Sequence, residues 1–258
     1  MYKVALDAGH GLKTSGKRCL KSLDPDETRE FALNNRIYKH VAAMLGAYNE
    51  IRFFPVHDVT GASDVPLYNR TKKANEIGAD IYISIHHNAG LNGRHGGGAV
   101  VYSHPNASKK AVTLRDSLYK NFIAETGLKG NRSAGCCSAN FHVLRETNMP
   151  AVLIECGFMD SPEDVPVILS AKFARQAADA IVKTILQYFN IKELKTEEEK
   201  EMATNIFDTL ESVPAYGRDA VKWALNKKIL LGTGDGKLGL SQQDLKAIIF
   251  LYRYDKTK

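Results

Sequence analysis

The sequence predicts an α/β fold: a mostly parallel twisted sheet with helices on both faces, followed by a small α-rich C-terminal domain. Short apolar runs without helical spacing recur at Tyr2–Leu6, Ile51–Val56, Ile81–Ile85, Ala99–Ser103 and Ala151–Glu155, as expected of strands covered on both faces. Longer segments of helical spacing separate them, and repeated strand–helix units give a parallel sheet with helices on either side. The alternation stops near Asn190, where the charged stretch KELKTEEEKE begins. We therefore expect a first domain over residues 1–190, a charged linker over 191–203 and a small helical domain over 204–258.

Each element has its own signature. Tyr2–Leu6 alternates into the glycine turn of DAGHG. Asp24 followed by Pro25 predicts an N-cap and first-position proline for a helix running to Tyr48. Its inner stripe is Ile37, Val41, Met44, Leu45 and Tyr48, and Glu30 with Asn34 extends that stripe toward the N-terminus. After Ile51–Val56, the segment Pro66–Ile77 predicts a second helix, and Gly78 leads into DIYISIHHNA, Asp80 to Ala89. A glycine-rich turn, Gly93–Gly98, precedes Ala99–Ser103 and a helix over Ala107–Thr126 closed by Gly127. Pro150 leads into Ala151–Glu155, the capping sequence Ser161-Pro162-Glu163-Asp164 opens a short helix, and Ala171–Phe189 forms the last long one.

Composition narrows the function classes. A length of 258 residues with 44% hydrophobic and 25% charged residues is that of a folded globular chain with one sizeable core. No uninterrupted apolar run is long enough to span a bilayer, so no membrane span is expected. The first residues already read as a strand, which predicts synthesis in the cytoplasm without a secretory signal. A net charge of +6 favours polyanionic partners. The basic residues are scattered with no interleaved aromatic stripe, which disfavours nucleic acid. Cys19, Cys136, Cys137 and Cys156 have no CxxC spacing and read as reduced thiols.

The candidate chemistry sits at strand ends, where open α/β sheets place their ligands. His10 follows the first strand, His86 follows Ile81–Ile85, and Glu155 ends the run AVLI. Strand alternation sends His86 and His87 to opposite faces. Two histidines with a carboxylate from another element form the ligand type of a catalytic zinc site. Glu30 and Glu27 are equal candidates for that carboxylate on composition alone. A second carboxylate would carry protons, and Glu155, costly to ionise after so apolar a run, suits that task.

DAGHG (Asp7 to Gly11), PLYNRTKKAN (Pro66 to Asn75), SIHHNA (Ser84 to Ala89) and ANFHVLRETNMPAVLIECGF (Ala139 to Phe158) resemble the zinc-dependent N-acetylmuramoyl-L-alanine amidases of the amidase-3 type over residues 1–190. The resemblance implies His10, Glu30 and His86 as ligands of Zn2+ and Glu155 as the catalytic glutamate. EFALN, Glu30 to Asn34, fits the family's ligand pattern where Glu27 does not, although Phe31 stands where a basic residue is usual. The implied reaction is hydrolysis of the amide between N-acetylmuramic acid and L-alanine in bacterial peptidoglycan. Asn88 and Arg145 are expected to contact substrate, and Asp7 to orient His10.

Val213 to Tyr254 resembles a single S-layer-homology motif, with Trp223 and the Gly232–Gly236 turn in matching places. That implies binding to the wall, with an anionic secondary wall polymer as partner. Such motifs usually occur in threes, so one copy points to a homo-oligomer through the C-terminal domain. The whole resembles phage or prophage endolysins that reach the wall after lysis or through a membrane lesion, with a mother-cell or autolytic amidase as the alternative. Two further readings stand beside it: a cysteine hydrolase using Cys156, and a non-catalytic wall-binding protein.

Overall fold

Alternating side chains divide each central strand between two apolar layers, and that division builds the molecule. In the computed structural model, which describes residues 1–131, 134–193, 206–233 and 236–256, six strands form the main sheet. They are β1 (Tyr2–Ala8), β2 (Ile51–Pro55), β3 (Ile81–Asn88), β4 (Val100–Ser103), β5 (Cys136–Ser138) and β6 (Ala151–Phe158), in the order β2-β1-β3-β6-β4-β5. Four neighbouring pairs are parallel, and β4 runs antiparallel to β6. The sheet is thus mostly parallel, as expected. The antiparallel junction was not legible, because the glycine-rich link between β3 and β4 carries no helix to force a parallel crossover.

Val4 and Leu6 of β1, Ile81, Ile83 and Ile85 of β3, and Val152 and Ile154 of β6 face one layer. That layer is made by α1 (Glu30–Leu45), α3 (Lys109–Thr126) and α6 (Ala171–Tyr188). Ala5, Tyr82, Ala151 and Leu153 face the other. There α2 (Leu67–Glu76) and α4 (His142–Arg145) supply Ala74, Val143 and Leu144. A short α5 (Val165–Ile168) precedes α6. Local chemistry sets several ends: the Ser108 and Ser170 hydroxyls cap α3 and α6, and Gly127 closes α3 in the left-handed conformation at φ 70°.

The expected N-cap at Asp24 is displaced. Helix α1 begins at Glu30 behind Arg29, and the Asp24 carboxylate instead accepts the backbone N–H groups of Asp26 and Thr28. The same side chain that can cap a helix also closes an Asx turn. Here Cys19 N–H bonding to Thr28 O holds the segment extended alongside residues 18 and 19. Buried positions on α1 also exceed the expected stripe, with Phe31, Leu33, Tyr38, Ala42 and Ala43 added.

A second covering adds to this burial. Helices α7 (Arg218–Asn226) and α8 (Gln242–Asp255) lie with α8 against the outer side of α1. Val213, Val221, Ile229, Leu245 and Leu251 join the same apolar cluster as Val41 and Phe53. Phe53 and Phe250 rings stand 4.6 Å apart, and Lys39 Nζ donates to Ile229 O at 2.6 Å. The helices are as expected, and Ser241 with Asp244 forms a capping box on α8. A two-stranded antiparallel ladder of β7 (Ile206–Phe207) and β8 (Leu240–Ser241) was not foreseen. The expected linker lies for the most part outside the described residues, as does part of the Gly232–Gly236 turn.

Ile181 of α6, which packs against α1 and α3, is fully buried in the large apolar cluster. Ile181→Ala should lower unfolding free energy by about 3 kcal/mol, the usual cost of such a truncation. A urea midpoint equal to that of the unaltered chain would refute this packing.

Candidate metal centre

The carboxyl ends of β1, β3 and β6 lie side by side, and their last side chains converge. His86 is in register with Glu155 on the neighbouring strand. Two residues of β6 then oppose one of β3 before Asn88 meets Phe158, a bulge in which Gly157 adopts φ 130°. The turn after β1 passes so near that a Cβ on Gly9 would lie 2.0 Å from the His86 ring, and His10 itself takes the left-handed φ of 66°.

Glu30, first residue of α1, reaches over the sheet end from the helix layer. Its Oε1 accepts from the His86 ring through Nδ1 at 3.0 Å and from His87 N–H at 3.2 Å. Its Oε2 is buried and accepts no hydrogen bond, with His10 Nε2 at 3.3 Å and Lys17 Nζ at 3.7 Å. One donor atom from each of His10, Glu30 and His86 lies within 4.8 Å of the others, the one such cluster among the described residues. Glu27 pairs with Arg18 at 3.1 Å and is not part of that cluster.

Electrostatics act on the three groups in different directions: burial would lower His86, but its hydrogen bond to Glu30 and the charges of Glu30, Glu155 and Asp7 prevail and raise it. Burial opposes ionisation of Glu30, but the His86 hydrogen bond and the charges of His86, His10 and Lys17 prevail and lower it to about 2. Burial lowers His10 to about 4 against the pull of Glu30, so its imidazole is neutral at pH 7. The position of Glu30 at a helix N-terminus adds to the stabilisation of its charge. An ionised carboxylate with a buried oxygen that accepts no hydrogen bond, beside two imidazoles, is a donor set that fits a divalent ion of the zinc type.

Around the cluster, backbone groups are individually held. His87 points to the opposite face, as strand alternation predicts, and its Nδ1 lies 2.8 Å from Asn34 Oδ1. Asn34 Nδ2 in turn donates to Gly9 O at 3.2 Å. Ala8 N–H donates to His57 Nδ1 at 3.0 Å. Asp7 does not touch the His10 ring: its carboxylate accepts from Tyr82 and Ser84 hydroxyls and from Arg70.

Asn88 sits at the end of β3 beside the cluster, its Oδ1 accepting from Ala89 N–H. Arg145, the last residue of α4, has its guanidinium bonded to Asn140 and Glu146. Cys156 faces the α1 layer, fully buried, and burial pushes its thiol well above the ordinary value. All four cysteines are free thiols. Sequence reading missed Arg70 and His57; the signal available for the first was a lone arginine on the inner side of an otherwise polar helix.

Two imidazoles at the ends of parallel strands, one carboxylate from the first residue of α1 and a second carboxylate on β6 in register with His86 make up a group that could hold a metal ion. Residues 4–187 match the amidase-3 model of N-acetylmuramoyl-L-alanine amidases, and the chain belongs to that family of peptidoglycan amidases. It is 32% identical over 196 residues to N-acetylmuramoyl-L-alanine amidase CwlM of Bacillus licheniformis, covering 74% of this chain and 70% of that protein. It is 30% identical over 234 residues to the endolysin of Bacillus phage SPP1, covering 87% of this chain and 80% of the endolysin. Among solved structures, N-acetylmuramoyl-L-alanine amidase from Clostridium difficile 630 superimposes with a TM-score of 0.66 at 31% identity, covering 74% of this chain and 98% of that one.

Two neutral histidines give the fold an acid limit. Burial lowers His57 to about 4 and His87 to about 3, whereas unfolded imidazoles gain protons below about 6.5. Their stabilising contribution is complete above that value and is lost as pH falls through 4 and 3. The urea midpoint of metal-free protein should therefore drop steadily from about pH 6.5 to about pH 4. A flat profile over that interval would contradict the buried, neutral assignment.

Proposed function

We propose that the chain is a zinc-dependent amidase that hydrolyses the bond between the lactyl group of N-acetylmuramic acid and L-alanine of the stem peptide. The observation that carries this is the convergence of His10, Glu30 and His86 with Glu155 in register beside His86. His10, Glu30 and His86 would hold the ion. Zinc bound there supplies Lewis acidity toward the scissile carbonyl and acidifies water. Glu155 takes a proton from the attacking water and delivers it to the departing amine of L-alanine, so that water is consumed and a carboxylic acid and an amine are released. Asn88, at the edge of the cluster, is placed to orient the substrate amide. His87 has no part in the chemistry and fixes Asn34 and the turn at Gly9.

Glu155→Gln should retain stoichiometric zinc while release of peptides with new L-alanine amino termini from purified walls falls about a hundredfold or more. A chelator should stop release by the unaltered chain, and a thiol alkylator should not. Full hydrolysis by Glu155→Gln would remove that residue from the mechanism, and inhibition by the alkylator alone would restore the cysteine reading.

We further propose an endolysin role, with action on the wall after release by lysis or through a membrane lesion. The match to the phage endolysin supports it, since coverage of 87% of the chain exceeds residues 4–187 and extends into the C-terminal segment. The autolytic alternative rests on the match to the bacterial amidase, which covers 74%. Residues 204–258 would serve as the wall-binding element, recognising an anionic wall polymer and forming any homo-oligomer contact. Tyr216 and Leu231 are exposed there, at 65% and 77%. The double variant Tyr216→Ala, Leu231→Ala should keep its unfolding midpoint and lose most co-sedimentation with purified walls. Unchanged co-sedimentation would place wall targeting elsewhere in the chain.

A further inference from the structure

We propose that Arg70 is a positioning residue for His10, holding the turn after β1 in the conformation that presents the imidazole to Glu30 and His86. The inference rests on the metal-centre reading and extends it to the segment PLYNRTKKAN, whose role the cluster itself leaves open.

Arg70 is among the largest fully buried side chains, at 1% exposure, and its planar fork is used on every nitrogen. Nε donates to Val65 O at 2.8 Å. Nη1 donates to the Asp7 carboxylate and to Ala8 O at 3.0 Å. Nη2 donates to His10 O at 3.0 Å and to Asp64 Oδ1 at 3.0 Å. The guanidinium therefore grips the backbone of the turn at two carbonyls, one of them that of the ligand residue. Asp7 neutralises its charge from the sheet side, with Tyr82 and Ser84 hydroxyls completing the carboxylate.

Such a grip is needed because His10 occupies a region that residues with a Cβ seldom adopt, at φ 66°. The remaining polar groups of the turn are held by other elements: Gly9 N–H by Ile85 O, Gly9 O by Asn34, Ala8 N–H by His57 and Gly11 N–H by Thr14. Only Arg70 holds the carbonyl of His10 in this set. Gly9 passes within Cβ distance of the His86 ring, so displacement of the turn disturbs two ligands together. A lysine cannot replace the fork, since one ammonium cannot span Val65 O, Ala8 O and His10 O in a single plane.

Arg70→Lys keeps a positive charge beside Asp7 and tests the fork alone. Zinc affinity, measured by competition with a chromogenic chelator, should weaken about tenfold or more, the usual loss when a supporting partner of a ligand is removed. The visible spectrum of the cobalt(II)-substituted protein should shift, and kcat on a soluble muropeptide should fall with KM little changed. A folded Arg70→Lys protein with the affinity and cobalt spectrum of the unaltered chain would overturn the proposal. Should that variant not fold, Asp64→Ala tests the fork, because this 42% exposed carboxylate is the second acceptor of the Nη2 that holds His10 O and its loss leaves the Asp7–Arg70 pair in place, with Thr14→Val as the control for the Asp64–Thr14 bond. A weaker zinc affinity at an unchanged unfolding midpoint is then expected, and an unchanged affinity overturns the proposal. Failure of the unaltered chain to bind zinc or cobalt would instead refute the metal-centre reading on which the inference stands.

Discussion

An ionised carboxylate at 1% exposure is the constraint to which the catalytic half of this molecule answers. Removing such a charge from water costs several kcal/mol unless partners replace the solvent. Glu30 finds them in three separate stretches: Lys17 before it in the same loop, His10 at the end of β1, and His86 with the His87 backbone at the end of β3. None of these can be supplied by α1 itself. The loop that delivers α1, the strained turn at His10 and the adjacency of β1 and β3 are thus one solution to one electrostatic requirement, and the same solution leaves Glu30 Oε2 buried beside His10 without a hydrogen bond.

Much of this was legible in the order of residues. Buried parallel strands announce themselves as apolar runs, so the polar residues that end them stand out, as with His86 after YISI and Glu155 after AVLI. His87 was separable from His86 because a strand has only two faces. Other features depend on contacts that no local pattern records. Asp24 carries capping chemistry, yet extended pairing of residues 18 and 19 with 28 and 29 delays the helix until Glu30. Arg145 stands out beside the strand of Glu155, and no local pattern shows that Asn140 and Glu146 take up its guanidinium.

The supporting residues were the least legible of all. The motif DAGHG offers Asp7 as a group that steers His10 by direct contact, and the structure routes that influence through Arg70, sixty-three positions away in sequence. A charged pair formed between a strand and a helix on one face of a sheet leaves no periodic trace, because each partner sits alone within its own element. It becomes visible only when the sheet order brings β1 and α2 together.

Helix α1 serves two masters. Its inner side and first residue belong to the sheet and the cluster, and its outer side lies beneath α8. The C-terminal segment is consequently poorly suited to free exchange between related enzymes. A recombination event near residue 190 that substituted an unrelated segment would uncover apolar surface on the helix that carries Glu30. Successful exchanges in this lineage would have to bring along a matching outer surface for α1, which ties the history of the appended segment to that of the catalytic helix.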